Sequence, residues 1–464
     1  MNIFIAGICG TFMAGIAQLA KASGHVVRGC DANVYPPMST LLAENGIDIA
    51  PGYEPDHIDP EVDQVIIGNA LSRGNPLVEH VLNAHLPFQS GPQWLHDQLL
   101  AKRQVIAVAG THGKTSTSSM VAWILQANNQ SPGFLIGGKP GNFEHSARIG
   151  NGQTFVIEAD EYDTAFFDKR SKFVHYAPDI AVLNNLEFDH GDIFSHLDQI
   201  KTQFHHLVRI VPQKGHIIVN ADDAHLRDVI DMGCWSNLHT FSTHDPNSHW
   251  YASLDAADGS VFSIYHQGVK KGVVDWACIG LHNVQNALAA ISATALNGID
   301  IEAGCRALGN FIPTARRLQS LYERDSIHLY EDFAHHPTAI RHTLSAIRTK
   351  YPGHQLIAVI EPRSNTMQSG CHNKALGPVL DEADMAIIYQ SHDNPWRGSD
   401  IQTQTPIETY QSASEILKKI ELSLTANSVI ICMSNGSFDG IPRKIARRLE
   451  RLETLETLKV QGET

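Results

Sequence analysis

At 464 residues, with 43% hydrophobic and 18% charged residues, the chain exceeds what one ordinary core supports and predicts about three soluble globular domains. A formal net charge of -14 disfavours nucleic acid as a partner, because phosphate backbones attract basic surfaces. No uninterrupted apolar stretch is long enough to cross a bilayer, and seven scattered cysteines without a C-x-x-C pair point to reduced thiols and a cytoplasmic setting.

The opening run Met1–Ala6 has no basic flank or cleavage pattern and leads straight into a glycine turn, so it reads as a strand rather than a signal peptide. Within it Ile3–Ala6 is the strand. Met13–Ala22 follows as a helix, Val26–Gly29 as a second strand and Val65–Gly68 as a later one. The second unit begins with the β-branched run at Val105 and continues with strands Phe155–Glu158, Ile180–Leu183 and Ile217–Asn220. The alanine- and leucine-rich helix Leu281–Leu296 closes it, and Phe311–Thr314 reads as a hinge. A third unit repeats the pattern with strands Ile327–Tyr330, Leu356–Ile360, Met385–Tyr389 and Val429–Met433, and with a helix over Pro337–Thr349. Arg443–Lys459 reads as a charged helix with Ile445 and Leu449 on one side. Strands alternating with helices predict parallel sheets covered on both faces. The expected fold is thus three α/β domains: a Rossmann-like unit at 1–103, a central P-loop ATPase unit at 104–312, and a Rossmann-like unit at 313–464. The 26 histidines show no Cys/His ligand spacing and read mainly as surface or capping residues.

The most informative segment is Gly110-Thr111-His112-Gly113-Lys114-Thr115-Ser116. It is a phosphate cradle between a strand and a helix N-terminus. Backbone N–H groups can wrap a polyphosphate, Lys114 can meet its β/γ oxygens, and the Thr115 hydroxyl can hold Mg²⁺. Its spacing, G-x-x-G-K-T, is shorter than the usual P-loop. Gly7, Cys9, Gly10 and Thr11 lie in a loop after the first strand, where glycines let backbone approach a pyrophosphate, and Asp31 ends the next strand, where it can meet a ribose. A tight turn without ligand explains the same glycines. Glu158-Ala-Asp-Glu-Tyr-Asp163 follows a central strand, and Glu158 is placed to take a metal. His190 in Asn184-Asn-Leu-Glu-Phe-Asp-His190 is a second candidate metal ligand, with Asp189 to orient it. Asn283 and Asn286 sit one helical turn apart at the start of the alanine-rich helix and can reach adenine or phosphate, although an N-cap explains Asn283 equally well. Arg316-Arg317 follows the hinge, and Asp332 and His335 stand at the end of a third-unit strand facing the same kind of cleft.

Taken together, G-T-H-G-K-T-S-T, E-A-D-E-Y-D, N-L-E-F-D-H, G-L-H-N-V-Q-N-A, the Arg316-Arg317 pair and D-F-A-H-H-P-T resemble the Mur ligase family, and the likeness covers nearly the whole chain. G-I-C-G-T-F-M-A-G and D-A-N-V-Y-P-P-M-S-T are most similar to the branch that joins UDP-N-acetylmuramate to the recycled tripeptide L-alanyl-γ-D-glutamyl-meso-diaminopimelate. The alternative is the L-alanine-adding branch, which has a tyrosine-glycine where Phe333-Ala334 stand here. The resemblance implies an ATP- and Mg²⁺-dependent amide ligase. Gly7 to Gly15 would face the UDP-sugar pyrophosphate, with Ser72, Arg73 and Asn75 near the same ligand. Gly110 to Ser116, Asn283, Asn286 and Arg317 would bind ATP. Thr115, Glu158 and His190 would hold the metal, Lys114 would neutralise the transferring phosphoryl group, and His335 or Asp332 would take the amine proton. Lys201 is out of register for the carbamylated lysine of many members, so no carbamate is assigned. Asp393-Asn-Pro-Trp-Arg397 is similar to a diaminopimelate-contacting segment of the family, and a turn set by Asn-Pro explains it as simply.

Overall fold

The computed structural model describes residues 1–464 except 36–37, 190, 192, 325, 371, 391–395, 397–400 and 463–464, and omits the side chains of 365 and 452–462. Three main sheets follow one another along the chain.

The first has five parallel strands: β1 (Asn2–Ala6), β2 (Val26–Asp31), β3 (Asp48–Pro51), β4 (Gln64–Ile67) and β5 (Phe88–Ser90), in the order β3-β2-β1-β4-β5. The chain reverses direction across the sheet at β1, so the Gly7 loop opens at a crevice beside the strand ends.

The central sheet has ten strands. They are β6 (Gln104–Ala109), β7 (Gly133–Leu135), β8 (Ala147–Arg148), β9 (Thr154–Ala159), β12 (Ile180–Leu183), β13 (His216–Asn220), β14 (Asn237–Ser242), β15 (Trp250–Leu254), β16 (Val261–His266) and β17 (Val269–Asp275), with a separate hairpin of β10 (Asp163–Ala165) and β11 (Asp168–Ser171) between β9 and β12. Their order is β17-β16-β15-β14-β13-β12-β6-β9-β7-β8, antiparallel only at the two ends. β6 lies between β9 and β12. The carboxyl ends of three neighbouring strands therefore deliver the P-loop, the acidic segment after Glu158 and the asparagine pair at 184–185 to one edge.

The third sheet contains β18 (Gln319–Arg324), β19 (Ile327–Asp332), β20 (Gln355–Ile360), β21 (Met385–Tyr389), β22 (Ile407–Tyr410) and β23 (Ser428–Met433), in the order β18-β19-β23-β20-β21-β22, with β18 alone antiparallel.

The β-branched run of β6 is buried throughout, because helices cover both faces. Val105, Ala107 and Ala109 pack into one core, and Ile106 and Val108 into another built with the helices Lys114–Ala127 and Leu281–Leu296. The first of these cores is continuous with Ile3, Met13 and Ile16 of the N-terminal unit. A Cβ at Gly15 would stand 2.1 Å from Leu135 Cδ1, so this glycine serves close packing of the first helix on the central unit rather than a ligand.

Leu281–Leu296 does not close the central unit as the sequence suggests. A further helix, Ile301–Leu308, follows, started by the Asp300 carboxylate accepting from Ala303 N. The C-terminal helix spans Ile441–Gly462, with Ile445 and Leu449 in the core. Among the described residues no helix is long and apolar enough to cross a membrane.

Candidate active site

The Gly7 loop, the P-loop and the 314–343 segment open on one cavity of about 1560 Å³. Gly113 has φ +78 and caps the helix that Lys114 opens. A Cβ there would stand 2.4 Å from Asn286 Oδ1, so both the backbone conformation and the space call for glycine. Asn286 Oδ1 accepts from Thr117 Oγ1 at 3.1 Å, and Asn184 Nδ2 donates to Thr117 Oγ1 at 2.8 Å. These buried amides brace the first turn of the P-loop helix. His112 N donates to Asn185 Oδ1 at 2.7 Å, Thr111 N to Asn185 O at 3.1 Å, and Glu187 N to Thr111 Oγ1 at 2.9 Å. The P-loop is thus stapled to the segment after β12. Asn184, Asn185 and Glu187 stand inside a motif in which sequence reasoning singled out only Asp189 and His190. Their role depends on β6 and β12 being neighbours, which no local signal carries.

Lys114 Nζ donates to Gly110 O at 2.7 Å and to Glu161 at 3.1 Å, and lies 3.7 Å from Asp160. Burial opposes its charge, but Glu161, Asp160 and Glu158 outweigh that and hold the ammonium firmly protonated. Thr115 Oγ1 lies 2.9 and 3.0 Å from the two oxygens of Glu158, which also accepts from Gly137 N at 2.7 Å. His190 lies outside the described residues. Lys201 pairs with Asp228 at 2.8 Å on the surface of the 197–210 helix, away from the cavity lining.

Asn283 is not an N-cap. Gly280 occupies that position, and Asn283 Nδ2 donates to Ile279 O at 2.8 Å while lining the cavity. Arg316 is committed to Glu331 at 2.9 Å and to Ser434 O at 2.6 Å, and both it and Arg317 line the cavity and lie over the Phe333 ring, at 5.2 and 4.9 Å. Arg316 and Leu318 both have positive φ, so the residues after the expected hinge carry backbone strain. Asp332 is buried and accepts from Leu318 N at 2.7 Å, Ala334 N at 2.8 Å and Thr343 Oγ1 at 3.3 Å. Burial pushes its pKa up, and its bonds make it the anchor of that strained turn. His335 Nδ1 lies 2.9 Å from Phe333 O. A carbonyl only accepts, so Nδ1 carries the proton and Nε2 keeps its lone pair. Burial lowers the pKa of this ring and keeps it neutral.

In the N-terminal loop, Gly7 has φ +78, and Cys9 N donates to Asp31 Oδ2 at 2.9 Å. Asp31 also accepts from Asn33 N at 2.9 Å and Tyr53 OH at 3.4 Å. Asp31 therefore shapes the loop, and Gly7, Cys9, Gly10, Thr11 and Asp31 all line the cavity. Burial and Asp31 push the Cys9 thiol up to about 11. Ser72, Arg73 and Asn75 do not line it. Arg73 pairs with Glu79 at 2.9 Å, and Asn75 caps the Pro76–Asn83 helix by accepting from Leu77 N and Val78 N. Asn75, named beside the ligand by the resemblance, serves with Pro76 as a helix start. Of the segment 393–397 only Trp396 is described: it is buried, and its Nε1 donates to Asn373 Oδ1 at 2.7 Å.

Three family models match the chain in succession: the Mur ligase catalytic domain over residues 2–103, the Mur ligase middle domain over 108–294, and the Mur ligase glutamate ligase domain over 316–436. The chain belongs to the Mur ligase family. Among Mur ligases, the chain is 47% identical over 452 residues to a UDP-N-acetylmuramate–L-alanyl-γ-D-glutamyl-meso-2,6-diaminoheptandioate ligase of Haemophilus influenzae, covering 97% of this chain and 99% of that one. An Escherichia coli ligase of the same name is 49% identical over 448 residues, covering 96% and 97%. The crystal structure of a murein peptide ligase from Psychrobacter arcticus superposes with a TM-score of 0.74 at 43% identity, covering 96% of this chain and 98% of that one.

Proposed function

We propose that the chain is the Mur ligase that joins UDP-N-acetylmuramate to L-alanyl-γ-D-glutamyl-meso-diaminopimelate at the expense of ATP, returning a recycled murein tripeptide to peptidoglycan synthesis. The carrying observation is that a phosphate cradle, a second nucleotide-type glycine loop and a neutral, half-buried histidine share one cavity of about 1560 Å³. The near full-length identity to ligases of that name supports the substrate pair. In this reading residues 1–103 hold the UDP-sugar through Gly7, Cys9, Gly10 and Thr11. Residues 104–312 hold ATP through the P-loop, Asn283 and Asn286. Residues 313–464 bring the amino substrate, with Arg317 reaching the phosphates.

A carboxylate acylates poorly, so the reaction runs in two steps. A muramoyl carboxylate oxygen attacks the γ-phosphorus and ADP leaves. The alanyl amine then attacks the acyl carbonyl, and inorganic phosphate carries off the C–O bonding pair. Lys114 neutralises charge on the transferring phosphoryl group, and the P-loop N–H groups hold it in place. His335 Nε2 accepts the amine proton. Asp332 keeps the 316–334 turn in register and acts as a positioning residue. The Thr115 hydroxyl and the Glu158 carboxylate are hard oxygen donors pointed at one another beside the P-loop, the donor chemistry that magnesium takes. They would hold the ion, which when bound supplies charge neutralisation on the phosphate oxygens.

The test is phosphate release from ATP by the purified protein with UDP-N-acetylmuramate and either tripeptide or L-alanine. Strong release with tripeptide and little with L-alanine is expected; the reverse preference overturns the substrate reading.

A further inference from the structure

The sequence offers no Cys/His ligand spacing, yet the fold gathers histidines where the central and C-terminal units meet. His112 Nε2 lies 3.0 Å and His336 Nδ1 3.4 Å from the same oxygen of Glu187, Oε2. These ligand atoms all lie within 4.8 Å of one another, and they form the one such three-residue group found among the described residues. The rings of His112 and His336 are 4.7 Å apart, and His372 packs edge-on against His336 at 4.6 Å. His112 and Glu187 belong to the central unit, while His336 caps the Pro337–Lys350 helix of the C-terminal one.

The proton inventory shows why this is more than a hydrogen-bonded cluster. Thr338 N–H donates to His336 Nδ1 at 3.3 Å, so that nitrogen carries no proton. The same bare nitrogen faces a carboxylate oxygen, which is also acceptor-only when ionised. Burial depresses the His336 pKa and keeps the ring neutral. Burial works against charge on Glu187, but the hydrogen bonds from His112 and Thr338 hold it ionised. Nδ1 and Oε2 thus face each other with no proton between them, and a cation bound there would take over the single Nδ1 lone pair that now accepts from Thr338 N. Zinc bonds of about 2.0–2.2 Å to imidazole nitrogen and carboxylate oxygen place tetrahedral ligand atoms roughly 3.3–3.6 Å apart, and the two nitrogens stand 3.0 and 3.4 Å from Glu187 Oε2. Thr338 Oγ1 donates to the other Glu187 oxygen at 3.0 Å, orienting Oε2 as an outer partner orients a metal-bound carboxylate.

We propose that His112 Nε2, Glu187 Oε2 and His336 Nδ1 form a transition-metal site, of zinc-like preference, that ties the central unit to the C-terminal one. It is separate from the hard-oxygen pair Thr115 and Glu158, and its imidazole ligands select against magnesium. The fourth position is open to water or to a substrate oxygen in the cavity. An ion there ties the two units together.

Co²⁺ is the probe, because tetrahedral coordination gives it intense visible absorption. The full-length protein, stripped with a chelator, is titrated with Co²⁺ and then with competing Zn²⁺, in excess Mg²⁺. One tetrahedral Co²⁺ per chain, displaced by Zn²⁺ and not by Mg²⁺, is expected. Glu187→Gln and His336→Gln should each weaken binding by at least about tenfold, and Thr338→Val by about 10–100-fold. His336→Cys, which keeps a soft ligand, should restore tetrahedral binding with a thiolate charge-transfer band. His239→Gln removes a histidine that contacts His216 at 3.0 Å across β13 and β14 and should change nothing. Absence of a tetrahedral site in the wild type, or a site indifferent to His336→Gln and Glu187→Gln, or one lost in His239→Gln, overturns the proposal. None of these outcomes depends on which peptide is ligated.

Discussion

Lys114 is tied both to the proposed chemistry and to the stability of the central unit, and the two roles separate in a double substitution. Its ammonium is buried against Glu161, whose side chain is only 1% exposed. Lys114→Met keeps the apolar stem and deletes the charge, which takes one cation away from the buried carboxylate of Glu161. Removing one partner of a buried pair costs about 3–5 kcal/mol. For a unit of this size each kcal/mol shifts Tm by about 2–4 °C, so a fall of roughly 6–20 °C is expected. Phosphate release should fall by ~10²–10³ or more, since Lys114 stabilises charge that develops on the phosphoryl group. Lys114→Met with Glu161→Gln removes both buried charges. Its Tm should recover most of the loss, while turnover stays low. The measurements are calorimetric Tm and steady-state phosphate release for the wild type, both single variants and the double. Near-normal turnover in the double variant would refute the assignment of Lys114 to phosphoryl transfer. No Tm recovery would refute the account of the buried pair.

Other consequences follow from individual contacts. Gly113→Ala places a Cβ 2.4 Å from Asn286 Oδ1 at a backbone of φ +78, so it should raise the KM for ATP and cost about 1–3 kcal/mol in local strain; an unchanged ATP KM counts against the P-loop geometry. His335→Gln should lower kcat by about 10²–10⁴. Because burial depresses the His335 pKa, the wild-type ring stays unprotonated through neutral pH, and activity should fall only in acid, below the ordinary histidine range. A kcat profile whose acid limb survives His335→Gln rules this residue out as its source. Asn75→Ala should cost about 1 kcal/mol through the lost cap and leave the KM for UDP-N-acetylmuramate unchanged; a selective rise in that KM would return Asn75 to the ligand.

The boundaries of many elements were legible because apolar periodicity is a local property. Ile180–Leu183, Leu281–Leu296 and Met385–Tyr389 match the observed spans. The antiparallel extension β15 to β17 and the late helix Ile301–Leu308 were missed, since neither carries a strong motif. The strand, glycine turn and helix start at Gly7 and again at Gly110 were legible as well, because their parts are contiguous along the chain.

The chain's membership of a three-domain ligase family, its two glycine loops and the lysine that opens the helix after the second were all determined by sequence, since each depends on residues adjacent along the backbone. Tertiary structure alone decided which polar residues face the cavity. It turned Arg73 and Asn75 away to build a helix start, spent Asp31 and Asp332 on pinning backbone N–H groups, and made Asn184, Asn185 and Asn286 the braces of the P-loop. Histidines 224 positions apart, His112 and His336, meet only because the third unit folds against the second. A hydrogen bond or ligand set is fixed by distances of a few ångströms between strand ends and domains, and sequence spacing carries no record of those distances.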